Sequence, residues 1–377
     1  MATYAKYYKQ VKQVSYDSGN TWQNTNEYRR GAWIENDSTD CGYIGELLRT
    51  IEDGTLCLEC DLHQQLAKQV SYNGLDWDTY AYEVGQLIEA DSYECGYVPP
   101  QPKFIATYSG GTSYSAMCDS ATTLTSGDTK PSGYTAAAMT DAVIGDCVTD
   151  IGISAFTHCR SLSGLTIPNS VTGIGTEAFY GCTSLSSVTI PNSVTDIGNS
   201  VFYYCGNLTS VTIPNSVTNI GSGAFYYCTG LNSATIGSGV TVLNGYTFGN
   251  CGALHSVTLP NRLRYIDNYA FVSCVNLSTV DIPERVEVIG RYAFAGCASL
   301  TSVTIPYMVG EIKECAFAGC EDLTSITCLA EIPPTLGEEV FGATNNCPIY
   351  VPAASVDTYK AASGWSTYAS RIHAIPT

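Results

Sequence analysis

Positive charge is scarce in this chain, with 17 Lys and Arg against 35 Asp and Glu and a formal net charge of −18. A nucleic-acid partner needs a basic stripe to displace phosphate counterions, so the balance argues against one. It argues equally against an anionic membrane surface. Charge of either sign makes up only 14% of the 377 residues, so surface polarity must come from Ser, Thr, Asn and Tyr. No apolar run approaches the length of a membrane span, which argues against insertion. The opening stretch, MATYAKYYKQVKQVSYDSG, also lacks the apolar centre of a secretory signal. Histidine is rarer still: His63, His158, His255 and His373 are the whole supply, and none lies in an HExxH motif. No Gly-rich phosphate loop opens a helix, and no cysteine sits in a nucleophile motif. These absences point away from an enzyme and from any cofactor.

Cysteine is abundant instead, and it is periodic. Eight of the 17 fall at 159, 182, 205, 228, 251, 274, 297 and 320, a fixed step of 23 repeated seven times. Phenylalanine keeps that step three positions earlier, from Phe156 to Phe317, and leucine three positions later, from Leu162 to Leu323. One strict period marks a stack of like units, none able to bury its apolar face without its neighbours. Equivalent side chains in such a stack lie about 4.8 Å apart and point in parallel, whereas a disulfide needs converging Cβ vectors. The eight cysteines in register are therefore expected to be a ladder of buried free thiols, acting as small apolar spacers.

Within a unit, Leu208, Val211 and Ile213 should point inward from a β-strand, with Thr209, Ser210 and Thr212 outward. Pro214-Asn215-Ser216 ends the strand, because Pro removes a ladder donor and Asn-Ser favours a turn. Val217 and Ile220 then return along the opposite side, Gly221 permits a bend, and Ala224-Phe225-x-x-Cys228 fills the remaining corner as a short helix or 3₁₀ turn. The outward Ser and Thr are good strand formers on a solvated face and need no ligand to explain them.

Four parts follow along the chain. Residues 1–103 hold two small β modules and a Pro-rich linker: Lys12-Gln13-Val14-Ser15-Tyr16 recurs as Lys68-Gln69-Val70-Ser71-Tyr72, and Cys41-Gly42-Tyr43 as Cys95-Gly96-Tyr97. The first copy carries Ser15-x-Asp17-x-Gly19-x-Thr21-Trp22, which resembles the Asp-box hairpin of sialidase propellers. A self-contained turn accounts for it better than glycan hydrolysis, since a propeller needs several such boxes. Cys57-x-x-Cys60, with Cys41 and Cys95, fits packing thiols or a local disulfide better than zinc, so no metal is expected. Residues 104–138 form a hairpin cap, 139–328 the repeats and 329–377 a C-terminal cap.

Tyrosine is the surface-rich aromatic, 27 residues against 10 Phe. Tyr180, Tyr203, Tyr204, Tyr226 and Tyr227 follow the core Phe in three early repeats, while Tyr246, Tyr269 and Tyr292 precede it by two in the next three. Stacking should turn these into two aromatic columns on one rim, which suit sugar faces and protein hot spots. Charge clusters late, from His255 to Glu314, and includes Arg262, Arg264 and Arg285. Tyr180, Tyr203, Tyr204, Tyr226, Tyr227, Tyr246, Tyr269, Tyr292, Arg262 and Arg264 are the candidate binding residues.

The consensus LTSVTIPNSVTxIGxxAFxxC, recurring over about 139–328, resembles the leucine-rich repeats of BspA-like proteins, the Treponema pallidum type. The close of the chain, Ile349-Tyr350-Val351-Pro352 with Tyr359-Lys360-Ala361-Ala362-x-Gly364-Trp365, is similar to the C-terminal cap of gut Bacteroidetes members. The resemblance implies a right-handed leucine-rich-repeat solenoid of parallel strands and, for many relatives, attachment to host components or other cells. Two readings follow. In the first, the chain is a non-enzymatic interaction or adhesion protein, extracellular or at the cell surface, with a protein or glycan ligand. In the second it is a structural part of a virion or other particle, a fibre or decoration protein attached through the N-terminal modules, and self-association into a homo-oligomer is compatible with either.

Overall fold

The computed structural model describes residues 13–15, 22–24, 102–118, 122–130 and 132–376. The chain divides into two units, Met1–Pro100 and Gln101–Thr377. In the first, β1 (Gln13–Ser15) and β2 (Trp22–Asn24) pair antiparallel with Ser15 opposite Trp22. The second copy of the duplication, the Pro-rich linker up to Gln101, and Cys41, Cys57, Cys60 and Cys95 lie outside the described residues, while Pro102 and Lys103 open the strand that follows.

The second unit is a β-solenoid of about 11 turns with a period near 23 residues. It opens on a hairpin, β3 (Pro102–Tyr108) and β4 (Thr112–Met117), whose reversal at Gly110 and Gly111 needs φ of +99° and +79°. A two-residue strand, β5 (Thr123–Leu124), comes next. The antiparallel pairing of β3 with β6 (Met139–Ile144) gives the edge of the parallel stack a partner on its open side. A disulfide between Cys118 and Cys147, with Cα atoms 6.2 Å apart, ties the end of the hairpin to the turn after β6. Phe104 meets Phe156 edge-on at 5.6 Å, so the cap also closes the core.

Each repeat then has three sides. The first is the LxxVxI strand, in parallel register with its counterpart one period on: Ser210 faces Ser233, and Ser233 faces Ser256. Leu208, Val211 and Ile213 are buried while Thr209, Ser210 and Thr212 are exposed, because successive side chains of a strand alternate faces. The second side is a two-residue strand such as Asn219–Ile220, paired with Asp196–Ile197. Between Ile220 and Val242 that sheet is interrupted. Asn244 stands where Gly152, Gly175, Gly198, Gly221 and Gly290 stand in other repeats, and its side-chain Nδ2 donates to the Ile220 carbonyl at 2.6 Å in place of the backbone bond that Gly221 N makes to Ile197 O.

The third side departs from the short helix or 3₁₀ turn expected for Ala-Phe-x-x-Cys. In each of the eight repeats from Phe156 to Phe317, the residues two before and two after the Phe have left-handed φ, between +53° and +72°. Alternation of that kind breaks a helical run, since only right-handed residues continue one. It also splits the backbone donors. Ala224, Tyr226 and Cys228 close four-residue turns onto Gly221, Gly223 and Phe225, whereas Gly223, Phe225 and Tyr227 donate to Gly245, Thr247 and Gly249 of the next repeat. The corner is thus a third inter-repeat ladder.

Inside, the Phe rings from Phe156 to Phe317 stack in one file with centroids 5.0–5.6 Å apart. The cysteines in register are buried and free. They do more than space. From Cys182 onward each thiol donates to the Phe carbonyl of the repeat before, as Cys228 Sγ does to Phe202 O at 3.1 Å and Cys274 Sγ to Phe248 O at 3.0 Å. That carbonyl already accepts from the Cys N–H of its own repeat, so the thiol fills its second lone pair inside the core.

Candidate functional site

The corner that carries the core Phe also carries the tyrosines, and geometry joins them into one belt rather than two columns. Counting from the Phe, Tyr180, Tyr203 and Tyr226 occupy the following position in three successive repeats. Tyr180 and Tyr203 stack at 5.0 Å, and Tyr203 meets Tyr226 at 5.0 Å with the rings turned 60°. Gly249 comes next in that column. A Cβ there would lie 2.7 Å from the Tyr226 ring, so only Gly lets the ring lean across. Tyr226 then contacts Tyr246 edge-on at 5.3 Å. Tyr246 lies two positions before its Phe and starts the second file, with Tyr246–Tyr269 at 4.6 Å and Tyr269–Tyr292 at 5.1 Å, both within 5° of parallel.

Residue sizes compensate at the crossing. Where the following position holds Tyr, the preceding one holds Glu177, Ser200 or Gly223; where the preceding one holds Tyr, the following holds Gly249, Val272 or Ala295. The belt keeps its width while changing column. Tyr204 and Tyr227 add a short second row, stacked on each other at 4.9 Å and edge-on to Tyr203 and Tyr226 at 4.5 and 4.6 Å.

In the stacked pairs Tyr180–Tyr203, Tyr246–Tyr269 and Tyr269–Tyr292 the faces of the rings are turned toward one another, which leaves edges and hydroxyls to solvent. Tyr204 and Tyr246 are the most open, at 43% and 39%. Tyr203 is packed tightly enough that burial, reinforced by the neighbouring phenols of Tyr204, Tyr226 and Tyr180, pushes its hydroxyl up to about 12. Burial raises Tyr226 likewise. Tyr203 and Tyr226 therefore present protonated phenols, each a donor and an acceptor.

Five belt residues, Tyr204, Tyr227, Tyr246, Tyr269 and Tyr292, have φ between +54° and +62°. A non-Gly residue there costs about 1–2 kcal/mol, and Gly occupies equivalent positions at 181, 223, 296 and 319. The repeat closes without tyrosine.

The arginines lie elsewhere. Arg264 begins the second side of its repeat, well ahead of Phe271. It pairs along the axis with Glu287, Nη2 to Oε1 at 2.6 Å, and Tyr265 Oη donates to the same carboxylate at 3.1 Å. The hydrogen bond from Arg264 holds the Glu287 carboxyl below its ordinary range. Arg291 and Glu314 repeat the arrangement at 2.9 Å and flank the belt beside Tyr292. Both pairs span one full period, a spacing visible in the sequence once charges are read by repeat. Arg262 is exposed on the turn after Pro260. The structure thus brings the eight tyrosines together and places Arg262 and Arg264 apart from them.

Among the described residues, no group of three or more His, Cys, Asp or Glu could hold a metal ion, and no helix is long and apolar enough to cross a membrane.

The chain is 27% identical to a leucine-rich repeat protein from Bacteroides ovatus ATCC 8483, with a TM-score of 0.56, over 67% of this chain and 62% of that one. It thus spans under two thirds of that relative's length. A Treponema pallidum leucine rich repeat protein is 28% identical over 47% of this chain and 71% of that one, with a TM-score of 0.38. A leucine rich cell surface protein from Faecalibacterium prausnitzii A2-165 is 23% identical over 74% and 90%, with a TM-score of 0.32. No curated protein matches. The family model for the BspA type leucine rich repeat region matches six copies, over residues 132–254 and 243–359. With the stacked Phe file, the thiol ladder and the three-sided repeat all falling inside those limits, this chain belongs to the BspA-type leucine-rich repeat family.

Proposed function

We propose that the chain is a non-enzymatic interaction protein that holds a protein or glycan ligand against its solenoid, with the tyrosine belt as the contact surface. One observation carries this reading: the belt stays continuous through a change of column. A file of rings kept only to cover the core has no reason to be rebuilt three positions away when its first column ends at Gly249. The left-handed tyrosines add to it, because backbone cost is accepted at positions where Gly serves equally well. A row of phenol edges and hydroxyls suits a ligand rich in hydrogen-bonding groups, whether sugar hydroxyls or a peptide backbone.

The Cys118–Cys147 disulfide supports a destination outside a reducing cytoplasm, since such bonds persist in oxidising compartments. An extracellular or cell-surface setting agrees with the adhesive reading.

The test is a glycan and host-protein array probed with wild type and with a variant carrying Ser at positions 203, 204, 226 and 227. Loss of every wild-type signal in the variant, with its far-UV circular dichroism intact, is the expected result. Undiminished binding by the variant would remove the belt from the contact surface.

A further inference from the structure

A second surface lies on the proline-turn edge, and it is independent of the belt. The turns after Pro260, Pro283 and Pro306 hold Arg262, Arg285 and Met308 at equivalent positions, one period apart. Two arginines therefore sit side by side at about the 4.8 Å strand spacing. Neither has an ion-pair partner among the described residues. Like charges so placed repel, and an anionic group bound between them would relieve the repulsion. Beside them opens a cleft of ≈ 530 Å³ lined by Arg264, Glu284, Arg285, Glu287, Tyr307 and Met308.

The edge then turns apolar. Tyr307 is 57% exposed and Met308 42%, and the same turn of the next repeat leaves Leu329 at 41% and Ile332 at 82%. The earlier turns of this edge are polar, with Asn192, Asn215 and Ser238 in the position of Tyr307. An exposed apolar cluster next to unpaired cations, on a chain of net charge −18, is a local reversal of the molecule's surface character.

We propose that this edge docks an extended segment of a protein partner that carries an acidic residue followed by apolar ones. The carboxylate bridges Arg262 and Arg285, and the apolar side chains lie on Tyr307, Met308, Leu329 and Ile332. A protein fits better than a sugar here, because three of those four side chains are aliphatic or thioether groups. These grip other apolar side chains, whereas sugars need aromatic faces and directed polar groups.

The full chain is probed by fluorescence polarisation with two labelled peptides of equal length, one Asp-Glu-led with Leu, Ile and Phe following, the other with Lys in place of each acid. Labelled polygalacturonate serves as a third probe. The expected outcome is binding of the acidic-apolar peptide about tenfold tighter than the Lys version, weakening as salt rises. It should be lost by about tenfold in R262E/R285E and again in M308S/I332S, while the variant with Ser at positions 203, 204, 226 and 227 binds as wild type. Equal affinity for both peptides, or binding untouched by R262E/R285E, overturns the proposal. So does binding of polygalacturonate alone. Loss in the tyrosine variant and not in R262E/R285E would assign the peptide to the belt and likewise overturn it.

Discussion

The Phe file and the tyrosine belt run along the same corner with nearly the same ring spacing, yet they obey different rules. Every repeat from 156 to 317 places its Phe at one position, and each ring is fully buried. The main row of the belt occupies two positions, changes between them at Gly249, and is absent after Tyr292, where Cys315 takes the place of the next Tyr. A buried ring has neighbours on all sides, so its replacement leaves a cavity. A rim ring has solvent on one side, and its column can end without cost to the core. Strict periodicity thus marks what holds the stack together, and interrupted periodicity marks what the stack displays.

The comparison breaks most directly at its buried side. Phe225→Ala should cost about 3–5 kcal/mol, the range for truncating a buried aromatic, read as a lowered midpoint in urea denaturation. The loss should spread along the array because repeats share their interfaces. A midpoint equal to wild type would mean the file is not the core.

Alkali should separate the two next. Burial lifts the Cys205, Cys274 and Cys320 thiols from an ordinary 9.0 to about 12. The folded state therefore holds these protons where the unfolded chain releases them. Their contribution to stability is complete below pH 9 and is lost as pH climbs toward 12, at about 1.4 kcal/mol per thiol for each pH unit. Melting temperature should be level from pH 6 to 8 and fall steeply above 9. Cys205→Ala with Cys274→Ala should lower it at pH 7 and flatten the fall; an unchanged slope would remove the thiols as its cause.

The crossing gives a smaller effect. Gly249→Ala should push the Tyr226 ring away from Tyr246 at a cost of about 1 kcal/mol, seen as a changed near-UV tyrosine signal beside an intact far-UV spectrum. An unaltered tyrosine signal would show that the ring does not depend on that gap. Smallest of all, Tyr204→Ser should move stability by no more than about 0.5 kcal/mol, measured by the same urea titration. A loss near that of Phe225→Ala would make Tyr204 part of the core.

The step of 23 carried the solenoid, the inward Leu208, Val211 and Ile213, and the free thiols without any coordinates, because burial in a stack demands the same residue at the same place in every turn. The corner was harder to read. Ser, Tyr, His, Asn and Gly all occupy its left-handed positions, so no residue type announces them. The thiol's bond to the Phe carbonyl was hidden because Cys passes equally well as a small hydrophobe. Gly249 could have been found by reading residue sizes down both Tyr positions at once. Cys118 and Cys147 fall outside the period, and their pairing depends on how the hairpin folds back, which spacing does not encode.

The inter-repeat register has a consequence for how such a chain can change length. Since each repeat bonds to the next through backbone groups about one period apart in the chain, excision or duplication of one whole period rejoins like to like. Recombination between near-identical repeats can therefore alter copy number without leaving a seam in the core. The repeat that holds Asn244, Tyr246 and Gly249 is the exception. Its removal would bring Val272 against Tyr226 where Gly249 now stands, and the two stretches of tyrosine would be severed in a molecule that still folds.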